Sequence, residues 1–297
     1  MSNLAQIPSL RPFRSIPSRT SLRKMLLSVE EGSSGNADLA DGTKPLRNMM
    51  PGGTNLDSQL ADDELALAAH IQSELMSIRL PNVSYARLTG KTIPCRAIGG
   101  DFFDAIALTD AICAVVADVS GKGIPAAIVA AMLQGIIHAG IRAYQPLSTI
   151  ATTVNDYLCS RTTGKFATMV LLKIWENGRL EYLNCGHVPP LLVTDLSVHQ
   201  LEGANTVVGL IPSAQYTSET CRMMPGNRIM IFTDGITEAE NSQGEQFGDT
   251  ALKGVLTDVD SVLDQLTTFQ GSLEQSDDCT LFEILYEGFE SLTAGAC

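Results

Sequence analysis

The sequence predicts an α+β fold, on three observations. Short β-favouring runs recur between turn residues. Glu176-Asn177-Gly178-Arg179 places an Asn-Gly hairpin signal between two of those runs. The strands come in hairpin-linked groups around pairs of helical segments, not in a regular β-α-β alternation. At 297 residues the chain is long enough for two domains of ~150 residues, or for one large domain with an extension.

Taken in order, residues 1–58 read as a disordered tail. They are rich in Ser, Pro, Gly and Asn, and five basic residues (Arg11, Arg14, Arg19, Arg23, Lys24) precede the first acid, Glu30. An Arg- and Ser-rich, acid-poor start also suits an organellar targeting peptide or a partner-binding arm. Residues 59–80 form an amphipathic linker or regulatory helix, with Leu67, Ala68, Ile71 and Leu75 on one face and Ile78 continuing it. That stripe either packs on its own domain or serves dimerisation or signal relay through residues 60–78. Residues 81–290 then make one domain. Strands are expected near 84–88, 93–98, 102–107 and 111–117, and helices at 124–142 and 147–160. Pro125 suits the first turn of the former helix, where a missing N–H costs nothing. Strands follow at 167–175, 179–184, 190–194, 217–222 and 228–233, helices near 248–257 and 260–271, and a last strand at 279–286. Residues 291–297 read as a flexible C-terminus.

Charge and cysteine content narrow the function classes. A formal net charge of -13 argues against nucleic acid as a partner, since phosphate backbones are held by Lys and Arg. Seven cysteines, none in a C-x-x-C pair, point to reduced cytoplasmic thiols over a disulfide framework or zinc site. The apolar stretch Ile124–Ile141 contains Pro125, Gln134 and His138, which favours a buried helix over a membrane span.

Acids at strand ends carry the chemistry. Ala114–Gly123 reads AVVADVSGKG: an apolar run reaches Asp118 and breaks into Ser-Gly-Lys-Gly. The same design recurs at Asp101 in IGGDFFD, at Asp234 in IMIFTDGITEAEN and at Asp277-Asp278 in SDDCTLFEIL. A single Asp-Gly is ordinary turn chemistry. Several carboxylates gathered at one end of a sheet raise one another's pKa unless a cation neutralises them. Oxygen donors suit Mg2+ or Mn2+, and two such ions in a carboxylate site are a standard arrangement for phosphoryl hydrolysis. Gly-Lys-Gly is not a P-loop, because Lys122 is followed by Gly123 where that motif needs Ser or Thr. Gly121 and Gly123 instead turn the strand into the helix, and Lys122 is either solvated or steers an anionic substrate.

AIGGDFFD, ADVSGKGIPAA, FAT, LNCGHVPPLL, VVGL, PGNRIMIFTDGITEAEN, FG and DDCTL occur in that order over about residues 60–287. Together they resemble the PPM-type metal-dependent protein serine/threonine phosphatases. The resemblance is to the bacterial branch that includes the sporulation stage II E and stress-response regulator phosphatases (SpoIIE and RsbU). The resemblance implies an α-β-β-α sandwich of two mainly antiparallel sheets flanked by helices. It implies that Asp101, Asp118, Asp234, Asp277 and the Val119 carbonyl hold two Mn2+ or Mg2+ ions, with a third as an option. Asp118 would bridge the ions, and Asp101, Asp118 and Asp234 would be the catalytic acids. Asp104 is a candidate for an extra ion or outer-shell water or, equally, for a paired surface acid; Asp278 is a candidate for the same outer role, and Lys122 for substrate contact. Animal and plant relatives hold substrate phosphate with an early arginine; the bacterial branch generally lacks it, and no clear equivalent stands out here.

The implied activity is hydrolysis of phosphoserine or phosphothreonine on a regulatory protein, such as an anti-sigma-factor antagonist, by attack of a metal-bridging water. Such an enzyme would act in cytoplasmic signal transduction, with an activator or second copy engaging the 60–78 helix and with no nucleic-acid or membrane partner. The alternative is a catalytically silent PPM-like module that sequesters a phosphoprotein. His187 is weighed as a general acid or as a structural residue that fixes its turn together with Asn184 and Gly186. Thr168 and Thr233 are expected to fill the core or to back the acids.

Overall fold

The computed structural model describes residues 55–76, 79–161, 164–203 and 205–288. The tail up to residue 54, Ile78 and the C-terminal segment 291–297 lie outside the described residues.

Two five-stranded antiparallel sheets face each other, with helices on both outer sides. The first sheet has the order β2 (Asp101–Ala107), β3 (Ala111–Val119), β4 (Ala167–Trp175), β5 (Arg179–Cys185), β8 (Glu219–Arg222). The second has the order β1 (Ala86–Ile93), β10 (Cys279–Tyr286), β9 (Arg228–Phe232), β6 (Leu191–Val193), β7 (Val198–Gln200). Helices α2 (Ile124–Arg142) and α3 (Leu147–Cys159) cover the first sheet, and α5 (Gly248–Val255) and α6 (Val259–Gln270) cover the second. A further helix, α1 (Asn55–Met76), precedes β1, and a single turn, α4 (Asp234–Thr237), follows β9. This is the α-β-β-α sandwich that the resemblance implied.

Strand periodicity sorts the core into three layers. In β3, Val115, Ala117 and Val119 pack under α2 and α3, while Ile112, Ala114 and Val116 face the other sheet. Every residue of β3 is buried, as a central strand covered on both faces requires. Gly90 lets β1 cross the stacked rings of Phe103 and Phe282, since a Cβ there would stand 2.7 Å from both. Helix α2 is apolar and long enough to cross a membrane, yet Ala126, Ala130, Leu133, Ile137 and Ile141 bury its inner face in the first layer.

Several expectations are corrected. One strand, Ala86–Ile93, replaces the two expected at 84–88 and 93–98. The chain leaves the sheet after Ile93 because its next partner is the carboxylate of Asp278, which accepts from Cys95 N–H, not a neighbouring strand. The short strand β7 and the turn α4 were missed, being three and four residues long and too short for a periodic signal. Helix α1 starts at Asn55, ahead of the expected 59, and it packs through the other face. Leu65, Ala69, Gln72 and Met76 are partly covered, whereas Leu67, Ile71 and Leu75 are 58%, 50% and 65% exposed. The stripe read from the sequence is therefore not the one that packs on the domain.

Candidate metal centre

Register brings the first two acids together. Asp101 opens β2 and Asp118 nears the end of β3, and the two are direct cross-strand partners. By strand parity both lie on the face turned to the other sheet, alongside Phe103 and Val116. The second sheet supplies the rest. Strand β9 ends at Phe232, Thr233 caps α4, and Asp234 is that helix's first residue. Asp277 and Asp278 immediately precede β10, which pairs with β9.

Each acid is held differently. Thr233 Oγ1 donates to Asp101 Oδ2 at 2.6 Å in the fully buried interior. Asp278 accepts from Gly100 N–H at 2.7 Å on one oxygen and from Cys95 N–H at 2.8 Å on the other. It thus braces the loop that delivers Asp101. Asp277 pairs with Lys122 Nζ at 3.1 Å, and Lys122 also donates to the Ser276 carbonyl. Lys122 is therefore neither simply solvated nor unengaged. Glycines permit the close approaches: a Cβ on Gly99 would stand 2.7 Å from an Asp278 carboxylate oxygen, and one on Gly235 would collide with the Asp278 carbonyl. Gly121 and Gly123 take positive φ, 87° and 68°, and form the turn expected between β3 and α2. The Val119 carbonyl faces Gly100, where a Cβ would stand 3.0 Å from it.

The electrostatics are those of crowded carboxylates. Burial, then the charge of Asp118, push the Asp101 carboxyl well above the ordinary aspartate range; the Thr233 hydrogen bond opposes this, and Asp278 and Asp234 add to it. Among the described residues, no three acidic, histidine or cysteine side chains converge closely enough to grip an ion as they stand. The donor chemistry nevertheless fits a hard divalent cation. Asp118, Asp278 and Asp234 each push up the Asp101 carboxyl, a repulsion that a cation would relieve, while Asp277 adjoins Asp278 in the chain and the Val119 carbonyl lies beside Gly100.

Asp104 stands apart from the other acids, His187 serves its own turn, and Arg96 was not singled out in the sequence. Asp104 is three residues past Asp101, so it points to the opposite face of β2, where it pairs with His138 Nδ1 of α2 at 3.1 Å. The structure thus separates it from the gathered acids. His187 is buried; its N–H donates to Asn184 Oδ1, and its Nδ1 bonds Thr168 Oγ1 at 2.8 Å. Asn184 returns a bond to the His187 carbonyl, so the two lock the turn as the structural alternative has it. Arg96, five positions before Asp101, lies beside the glycine turn: its Nη1 would stand 3.5 Å from a Cβ on Gly123.

A two-sheet sandwich with carboxylates gathered at one end defines a class: the PPM, or PP2C-type, phosphatase domain. The sequence profile of Stage II sporulation protein E (SpoIIE) matches residues 109–286, more than half of the chain. The chain belongs to the SpoIIE family. It is 26% identical over 226 residues to Protein IcfG of Synechocystis, covering 65% of this chain and 36% of that protein. It is 25% identical over 188 residues to the phosphoserine phosphatase RsbU of Bacillus subtilis, covering 61% of this chain and 55% of RsbU. The chain thus spans about a third to a half of the length of these curated relatives. Among solved structures, the RsbU and RsbW domains of a Mycobacterium tuberculosis protein match at 28% identity and TM-score 0.61, over 70% of this chain and 62% of that one. The SiaA-PP2C domain of Pseudomonas aeruginosa shares the fold at 20% identity and TM-score 0.66, over 77% and 98%.

Proposed function

We propose that this chain is a divalent-metal-dependent phosphatase acting on phosphoserine or phosphothreonine of a regulatory protein. The observation that supports this most is the register of Asp101 against Asp118, with Asp234 and Asp278 close enough to raise the Asp101 carboxyl. Asp101, Asp118, Asp234, Asp277 and the Val119 carbonyl would hold two Mn2+ or Mg2+ ions; RsbX, which shares the fold at TM-score 0.56, has been solved in complex with magnesium. Bound ions supply positive charge against the phosphate and a water that deprotonates near neutral pH. The chain's own residues do the rest. Lys122 keeps Asp277 oriented, and Arg96, beside Gly123, offers a planar guanidinium to phosphate oxygens at the rim. The named activity of RsbU supports a phosphoserine substrate, and an anti-sigma-factor antagonist is the substrate we favour.

The test is hydrolysis of an aryl phosphate by the full chain with Mn2+, with chelator, and in Asp118→Asn. Activity that needs both metal and Asp118 is expected. If the native protein neither hydrolyses the ester nor binds Mn2+, the enzyme reading fails and the phosphoprotein-sequestering module takes its place.

A further inference from the structure

Thr233 is fully buried at the point where the segments bearing three of the acids meet. It precedes Asp234 in the chain, its N–H donates to the Thr280 carbonyl at 3.0 Å, and Thr280 N–H donates to its Oγ1 at 2.9 Å. A hydroxyl has one proton to give. With its oxygen already accepting from Thr280, that proton has two acceptors in range: Asp101 Oδ2 at 2.6 Å and the Asp278 carbonyl at 3.4 Å. The short contact to the carboxylate takes it. We infer that Thr233 is the positioning residue of the centre: its hydroxyl fixes the Asp101 carboxylate through Oδ2 and leaves Oδ1 as the oxygen for a cation.

The inference rests on the metal reading above and adds a residue that touches no ion. Hydrogen bonds to a ligand from behind set its orientation, and losing them costs about 10–100-fold in metal affinity. Because Thr233 also joins β9 to β10 through Thr280, it ties the Asp101 loop of one sheet to the acid-bearing strands of the other.

The test measures Mn2+ binding to the full chain by electron paramagnetic resonance, without substrate. Thr233→Val keeps the shape and removes the hydroxyl; Thr233→Ser keeps the hydroxyl. Binding should weaken about 10–100-fold in the valine variant and stay within about threefold of native in the serine variant. Thr233→Cys, whose thiol donates poorly, serves if the valine variant does not fold, and is expected to weaken binding about tenfold. Native-like affinity in the valine or cysteine variant, or equal loss in the serine variant, overturns the inference. Failure of the native chain to bind Mn2+ overturns the metal reading itself, a separate and distinguishable result.

Discussion

Strand β2 carries two buried aspartates, Asp101 at 4% exposure and Asp104 at 5%, on opposite faces. Between the sheets, Asp101 is surrounded by other acids and one hydroxyl, and its carboxyl is pushed up. Under α2, Asp104 has a histidine partner whose side chain is 46% exposed. The sequence spells them alike, in DFFD. What separates a candidate ligand from a brace is the side of the sheet, hence parity along the strand.

The largest expected effect separates these two faces. Asp101→Asn should abolish metal-dependent hydrolysis, because it removes an anionic donor from the gathered set. Asp104→Asn should leave the rate within about twofold and lower stability by about 1 kcal/mol, the low end for a hydrogen bond whose partner is half open to water. In a domain of this size that is a drop of about 2–4 °C in Tm. Equal loss of activity in both variants would break the distinction.

A second, smaller effect sharpens it through pH. Asp101 is raised in the folded chain above the ordinary aspartate value of 3.8, so the fold favours its neutral form. The folded state binds this proton more tightly than the unfolded state does. Stability from this group is therefore fully present below about pH 3.8 and is lost as pH rises through the raised folded value. Metal-free native protein should show that loss in Tm on going from acid toward neutral pH, and Mn2+ should restore it. Asp101→Asn, which cannot ionise, should show a smaller decline. Parallel pH curves for the two proteins would remove the electrostatic account.

Much of this was legible because strands and their acids are local signals. Val115 to Val119 reads as a buried strand end, and Asp118 follows from it. The two-layer parity that divides Asp101 from Asp104 was also in the sequence, but only register shows which face meets the other sheet. The brace by Asp278 was not legible. It spans 178 positions to Gly100, and no local pattern foretells which backbone amides a carboxylate will meet. Arg96 was missed for the same reason: its neighbour, Gly123, comes from another loop. In α1 the apolar spacing was real but misleading about packing, because a polar residue, Gln72, makes the contact that seats the helix.

The smallest expected effect concerns that helix. Gln72 donates to the Gly99 carbonyl at 2.9 Å and accepts from Gly99 N–H at 3.3 Å, two residues before Asp101. Leu67 and Ile71 point the other way, into solvent. Changing both to serine should alter the unfolding free energy by less than about 0.5 kcal/mol, as for surface positions without a packing role. Gln72→Ala should cost about 1 kcal/mol by removing two partly exposed hydrogen bonds, and it should also loosen the loop ahead of Asp101. Chemical denaturation of the two variants compares the faces directly. Sedimentation of the Leu67→Ser, Ile71→Ser protein then decides what the outer face is for. A lower mass than native would assign the stripe to contact with a second copy, and unchanged mass with unchanged activity would assign it to solvent. Either way, the inner face of α1, not the more apolar outer one, is the route by which this helix reaches the acids.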